Sequence, residues 1–271
     1  MQFRTEIDIP QATFTIEPND RLLFTGSCFA DNIGRRFTEN HFDAAVNPFG
    51  VMYNPASVMH TVECYLAGGE TVPNIAVLTL GTNHVYILKE TGEIVDNCMK
   101  RPQRLFEEKA LSVDECKAFL SEAIAMLRER NPQVKVILTV SPIRYAKYGF
   151  HGSQLSKATL LLAVDQLIAE QNSDSSILSY FPAYEIINDE LRDYRFYAPD
   201  MLHPSEQAVD FIYERFADCY FSATTKAFIK EWLPIKAALA HRPFNPENPE
   251  YKAFLAKAKE DERQLLMKFK N

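Results

Sequence analysis

The stretch FTGSCFADNIG, residues 24–34, joins the end of an apolar run (RLLFTG, 21–26) to a segment in which Phe29, Ile33 and Phe37 recur every fourth residue. The first half reads as a buried strand, the second as one face of a helix, with Gly26 at the turn between them. The same alternation recurs down the chain. IAVLTLG (75–81), VKVILTV (134–140) and SILSYF (176–181) are further apolar runs. Ser112 and Glu115 form a capping-box pattern ahead of Cys116, Phe119, Leu120, Ala123 and Leu127 at helical spacing, and Asn131-Pro132 ends that helix. Further helices are expected from about Leu155 to Gln171 and from near Ser205, the latter carrying Val209, Ile212, Tyr213 and Phe216.

Strands that are apolar throughout and alternate with helices predict a parallel sheet covered on both faces, a three-layer α/β/α architecture. From about Thr224 the pattern changes to helix with breaks at Pro234, Pro243, Pro246 and Pro249. It divides the chain into an α/β domain over 1–223 and a helical C-terminal extension over 224–271. Residues 47–73 read as a long loop or small helical insertion over the site. Pro204 is placed as the first residue of the helix that follows it.

The 271 residues are 46% hydrophobic and 12% aromatic, which fits a packed globule, and carry a formal net charge of −7. That charge argues against a nucleic-acid or anionic-membrane partner. No apolar run is long enough to span a bilayer, and the start, MQFRTEIDIP, lacks the apolar core of a secretory signal. Five cysteines with no CxxC pair suggest a reducing compartment, so a cytoplasmic location is expected. No spacing supports a metal, and GxGxxG, GxxxxGK, HExxH and GxSxG are all absent, so no cofactor is implied.

Ligand chemistry in a parallel sheet gathers beyond the carboxyl ends of its strands. Gly26-Ser27-Cys28 stands there, at a helix start that aims N–H groups and a positive dipole end outward. A thiol at that point is expected to have a lowered pKa, and a hydroxyl there meets ready oxyanion donors. Asn47-Pro-Phe-Gly50 offers the Gly50 N–H to the same oxyanion, and Gly81-Thr-Asn83-His84 offers the Asn83 side chain. In APDMLHPSEQ (198–207), Asp200 and His203 are three apart, on one side of a single turn, where a carboxylate can fix the imidazole tautomer.

Simpler roles stand beside these. Cys28 reads also as a small buried hydrophobe, Ser27 as a helix N-cap, Asn83 as a turn residue, and the Asp200–His203 pair as a surface turn. His84 reads better as a wall-lining histidine than as a ligand. Arg144, Gln154, Ser156 and Lys157 follow a strand, where substrate contacts or plain surface loop are both expected. Tyr194, Phe196 and Tyr197 read as core before sugar platform.

The blocks Gly-Ser-Cys-Phe-Ala, Asn-Pro-Phe-Gly, Gly-Thr-Asn-His and Asp-x-x-His-Pro, in that order, resemble the GSCFA family, grouped with the SGNH (GDSL-like) hydrolases. The resemblance covers residues 10 to 260 and includes SPIRYAKYGFHGSQLSKATL (141–160) and YFPAYEIINDELRDYRFY (180–197). It implies a flavodoxin-like fold of the SGNH-hydrolase type. It also implies cleavage or transfer of an acyl ester of a small molecule or carbohydrate, or a related fold that has lost turnover. Carried over, Gly50 and Asn83 match the oxyanion blocks, and Asp200 and His203 the acid–base pair. His84 replaces the usual aspartate. Gly-Asp-Ser becomes Gly26-Ser27-Cys28, and an ungapped overlay puts Cys28, not Ser27, at the nucleophile position.

Overall fold

The computed structural model describes residues 4–69, 71–171 and 177–270. In chain order the strands are β1 (Arg21–Gly26), β2 (Asp43–Val46), β3 (Ile75–Leu80), β4 (His84–Leu88), β5 (Glu93–Val95), β6 (Phe106–Ala110), β7 (Lys135–Val140) and β8 (Leu178–Tyr180). The helices are α1 (Cys28–Glu39), α2 (Pro55–Ala67), α3 (Val113–Arg130), α4 (Gly149–Glu170), α5 (Ala183–Glu185), α6 (Glu206–Tyr220), α7 (Ala223–Ala240) and α8 (Pro249–Phe269). A single π-helical stretch, Ile186–Leu191, continues α5.

Five strands form one parallel sheet in the order β2-β1-β3-β7-β8. Successive side chains point to opposite faces, so each strand feeds two cores. Leu22, Phe24, Ile75, Val77 and Ile137 join the core under α1, α6 and the C-terminal helices. Leu23, Ala76, Leu78, Val136 and Leu138 join the one under α2, α3 and α4. This is the expected three-layer arrangement. The chain runs outward from β1 to β2, then returns past β1 to β3, and the crevice beyond the ends of β1 and β3 is where such sheets hold ligands.

On the α1 face, Phe37 packs against Phe24 and Phe42 with ring centroids 4.9 Å apart, and against Phe216 and Phe221 at 5.9 and 5.6 Å. Phe228, Trp232 and Leu265, from α7 and α8, enter the same core. The Trp232 indole donates to Asn40 Oδ1 at 3.2 Å. The C-terminal helices are therefore seated on the α1–β2 corner.

Several elements differ from the sequence reading. Strand β2 and an antiparallel sheet, β5-β4-β6, stand where no strands were drawn. Both are short: β2 and most of β6 are part-exposed or exposed, and the apolar run of β4, Val85–Leu88, is only four residues long. Of the two readings of residues 47–73, the helical one holds: the segment contains helix α2, capped by Asn54 with Pro55 at its first position. Helix α4 starts at Gly149, ahead of the expected Leu155. Pro204 lies outside α6, whose N-cap is Ser205. Pro234 does not break α7, which runs through it. The capping box of Ser112 and Glu115 forms as expected, whereas Ser176, read as the start of the fourth strand, lies outside the described residues.

Candidate active site

Gly26 ends β1 at φ +132°, and a Cβ there would stand 2.0 Å from the Thr79 carbonyl oxygen, so no other residue fits. Ser27 follows with its side chain fully buried. Its amide donates to Thr79 Oγ1 at 2.9 Å, and its Oγ caps α1 by accepting from Phe29 N at 3.3 Å. Of the two adjacent nucleophile candidates, Ser27 is thus turned inward. Cys28, the first helical residue, is half-buried, and among the described residues its N–H finds no acceptor beyond its own sulfur.

Burial pushes the Cys28 thiol up, while the Tyr53 hydroxyl, its own amide and the Lys157 charge pull it only part of the way back. The lowered pKa expected from the helix start alone is therefore outweighed by desolvation. Such a thiol needs a base. Tyr53 is pushed up to about 12 by its own burial and by Cys28, so it stays a neutral phenol.

The loop after β2 is held by Asn47, a residue to which the sequence reading gave no role. Its Oδ1 accepts from Gly26 N at 2.9 Å and its Nδ2 donates to Asp31 Oδ1 at 2.6 Å, so one amide brackets both sides of the Cys28 turn. Gly50, at φ +91°, donates its N–H back to the Asn47 carbonyl at 2.8 Å. The amide expected to serve an oxyanion is engaged in this turn. Asn83 is likewise buried, with Nδ2 donating to the Leu111 carbonyl at 2.7 Å.

Two residues expected as substrate contacts prove to be internal. Ser156 Oγ accepts from Asn83 N at 2.9 Å and bonds Thr82 Oγ1 at 3.0 Å. Lys157 is fully enclosed and donates to the carbonyls of Gly81 and Ser141, both at 2.8 Å. It ties the ends of β3 and β7 together beneath the site. Burial lowers it from the ordinary 10.5 to about 7, partly offset by Cys28. The helical phase of α4, begun earlier than expected, turns both side chains inward.

Asp200 and His203 meet as the spacing predicts, with Nδ1 2.6 Å from Asp200 Oδ2. Asp200 Oδ1 also accepts from the amides of His203 and Leu202, at 3.0 and 2.9 Å. These bonds, led by the His203 amide, hold its carboxyl down to about 2. The turn closes through Met201 at φ +59°, and His203 Nε2 has no hydrogen-bond partner among the described residues. Arg144, expected as a substrate contact, reaches this turn: its amide donates to Leu202 O at 2.9 Å and its guanidinium to Met201 O at 3.0 Å. Arg144 lies just past β7 as Cys28 lies just past β1, so the parallel sheet sets both groups on one edge. From α1, Arg36 donates to Asp210 at 2.8 Å and to Glu206 at 3.0 Å on α6, fixing the Cys28 helix against the helix that follows His203.

Arg144, Gln154, Asn188, Arg192, Tyr194 and Tyr197 line a cavity of about 280 Å³ beside the His203 turn. On another side His84 stacks on Tyr148 with ring centroids 3.7 Å apart, and Tyr148, Tyr145 and Tyr53 continue as a wall to Cys28. Desolvation lowers the His84 pKa, so it lines this wall as a neutral ring. His84 is the member that the sequence suggests as wall-lining; the tyrosines leave no such mark, because Tyr53 and the Tyr145–Tyr148 pair come from separate loops and share no spacing.

The GSCFA family matches residues 21–72 and 70–216, and the C-terminal domain of GSCFA domain proteins matches 232–271. The chain belongs to the GSCFA family. No protein with a curated description matches it. Solved structures similar to this GSCFA chain include a GDSL-like lipase from Bacteroides thetaiotaomicron VPI-5482, 16% identical over 73% of this chain and 86% of that one, TM-score 0.48. A member of the lipolytic G-D-S-L family from Veillonella parvula DSM 2008 is 13% identical over 73% and 96%, TM-score 0.47. A carbohydrate esterase of family 3 from Talaromyces cellulolyticus is 13% identical over 73% and 95%, TM-score 0.46.

Proposed function

We propose that this GSCFA chain is an acyl-ester hydrolase or acyl transferase that works through a Cys28 thioester. What supports the reading is an imidazole whose Nδ1 is fixed on Asp200 with Nε2 unengaged, in a turn bonded to Arg144 just past β7, while Cys28 lies just past β1 in the same parallel sheet. A carboxylate held near pKa 2 stays charged and supports the imidazolium formed when His203 takes a proton. A thiol pushed up by burial is the partner that needs such a base.

In this scheme Cys28 Sγ attacks the ester carbonyl as His203 accepts the thiol proton. The Cys28 N–H, which bonds no other residue, receives the developing oxyanion, and the α1 dipole adds to it. The imidazolium returns its proton to the leaving alcohol. Water or an acceptor hydroxyl, deprotonated by the same ring, then releases the acyl group. Gly50 and Asn83 would join the oxyanion site after exchanging their present partners. The leaving group is proposed as a sugar or other small hydroxylated molecule. The cavity of Arg144, Gln154 and Tyr197 and the tyrosine wall offer it polar and stacking surfaces.

Short-chain nitrophenyl esters, followed with wild type and with Cys28→Ala, Ser27→Ala and His203→Ala, test this. Loss of turnover in the Cys28 and His203 variants, with Ser27→Ala active, is expected. Loss in Ser27→Ala alone would move the nucleophile. No turnover by wild type on a broad acyl panel would leave a binding module.

A further inference from the structure

A second nucleophile–base–carboxylate set lies outside the site just described. On α2, His60 and Cys64 are four residues apart and so share a face. Cys64 Sγ lies 3.4 Å from His60 Nε2, and His60 Nδ1 lies 2.6 Å from Asp96 Oδ2. Asp96 arrives from a separate element, the loop just after β5. The imidazole is half exposed and Cys64 only partly covered, so a reagent in solvent can reach the sulfur. Among the described residues, no group of three or more such side chains is arranged to hold a metal ion.

The arrangement has the parts of an activated thiol: the base touches the nucleophile, and a carboxylate fixes the base by its other nitrogen. It lacks the parts of an acyl-transfer site. Cys64 lies inside α2, where backbone N–H groups are bonded along the helix, so nothing aims at a developing oxyanion. Thiol–disulfide exchange makes no such demand, since its charge stays on sulfur.

We infer that Cys64, with His60 and Asp96, is a site of reversible exchange with low-molecular-weight disulfides, separate from the chemistry of Cys28. His60 Nε2 takes the thiol proton as Cys64 Sγ attacks one sulfur of RS–SR. The S–S bond breaks, a Cys64–S–SR mixed disulfide forms, and the departing thiolate leaves as RSH with the proton from the imidazolium. Excess thiol reverses the step.

The test treats the full chain with oxidised glutathione and follows each cysteine by peptide mass spectrometry, with Cys98, also partly covered, as internal reference. Cys64 is expected to form the mixed disulfide at least about tenfold faster than Cys98. His60→Gln should slow Cys64 about tenfold and Asp96→Asn about threefold, with Cys98 unchanged. Both replaced side chains lie at the surface or partly so, and an unchanged melting temperature confirms that the variants fold. Cys28→Ala should leave the Cys64 rate as it is. Equal rates at Cys64 and Cys98, or a Cys64 rate indifferent to His60→Gln, would overturn the inference.

Discussion

Cys28 and Cys64 are both partly covered thiols on helices, yet their surroundings differ in kind. Cys28 stands at a helix start, with an N–H that bonds no other residue beside its sulfur and its proposed base on a loop far along the chain. Cys64 stands inside a helix, with its base one turn away and already in contact. In the proposed chemistry the first position receives charge on a neighbouring oxygen, and the second serves only the sulfur. The difference teaches that a nucleophile's chemistry is set less by its base than by the dipoles around the atom it attacks.

The comparison can be broken most sharply at Cys28. Cys28→Ala or His203→Ala should lower kcat/KM on a short-chain ester by about a thousandfold or more, whereas Cys64→Ser should stay within about twofold. An equal fall in Cys64→Ser would erase the distinction. The turn that presents Cys28 is equally sensitive in its fold. Gly26→Ala places a Cβ against the Thr79 carbonyl at a positive φ and should cost more than about 3 kcal/mol in urea unfolding. Ser27→Ala removes the α1 cap and should cost about 1 kcal/mol while leaving kcat/KM within about threefold.

A pH trend tests the enclosed lysine. Lys157 is lowered to about 7 in the folded chain from 10.5. Between those values the unfolded chain binds the extra proton, so wild type gains stability as pH rises from 7 to 10. Lys157→Met lacks this dependence. The melting temperature of wild type minus that of the variant should therefore increase across that window; a flat or falling difference would contradict the buried amine.

Much of this was legible in the sequence where one periodicity dominated. RLLFTG, IAVLTL and KVILTV are buried almost throughout, and their pattern named the sheet. Asp200 and His203 were legible because a three-residue turn brings its ends together whatever surrounds it. The short strands around His84 and Phe106 carry mixed, part-exposed residues and left no such mark. Lys157 read as a surface residue because lysine is rarely buried, and only the carbonyls of Gly81 and Ser141, supplied by other elements, explain its enclosure. The engagement of Gly50 and Asn83 was equally hidden, since a motif names the donor but not the acceptor it already has. The Cys64 set needed Asp96 from a hairpin that the sequence did not announce.

If Cys28 carries the acyl group, the label is on its sulfur. Brief incubation of the full chain with a nitrophenyl acyl ester, acid quench and peptide mass spectrometry reads this directly. The acyl mass is expected on Cys28, removed by neutral hydroxylamine as a thioester is, and absent in Cys28→Ala. Acyl mass on Ser27, stable to neutral hydroxylamine, or label confined to Cys64 would contradict it.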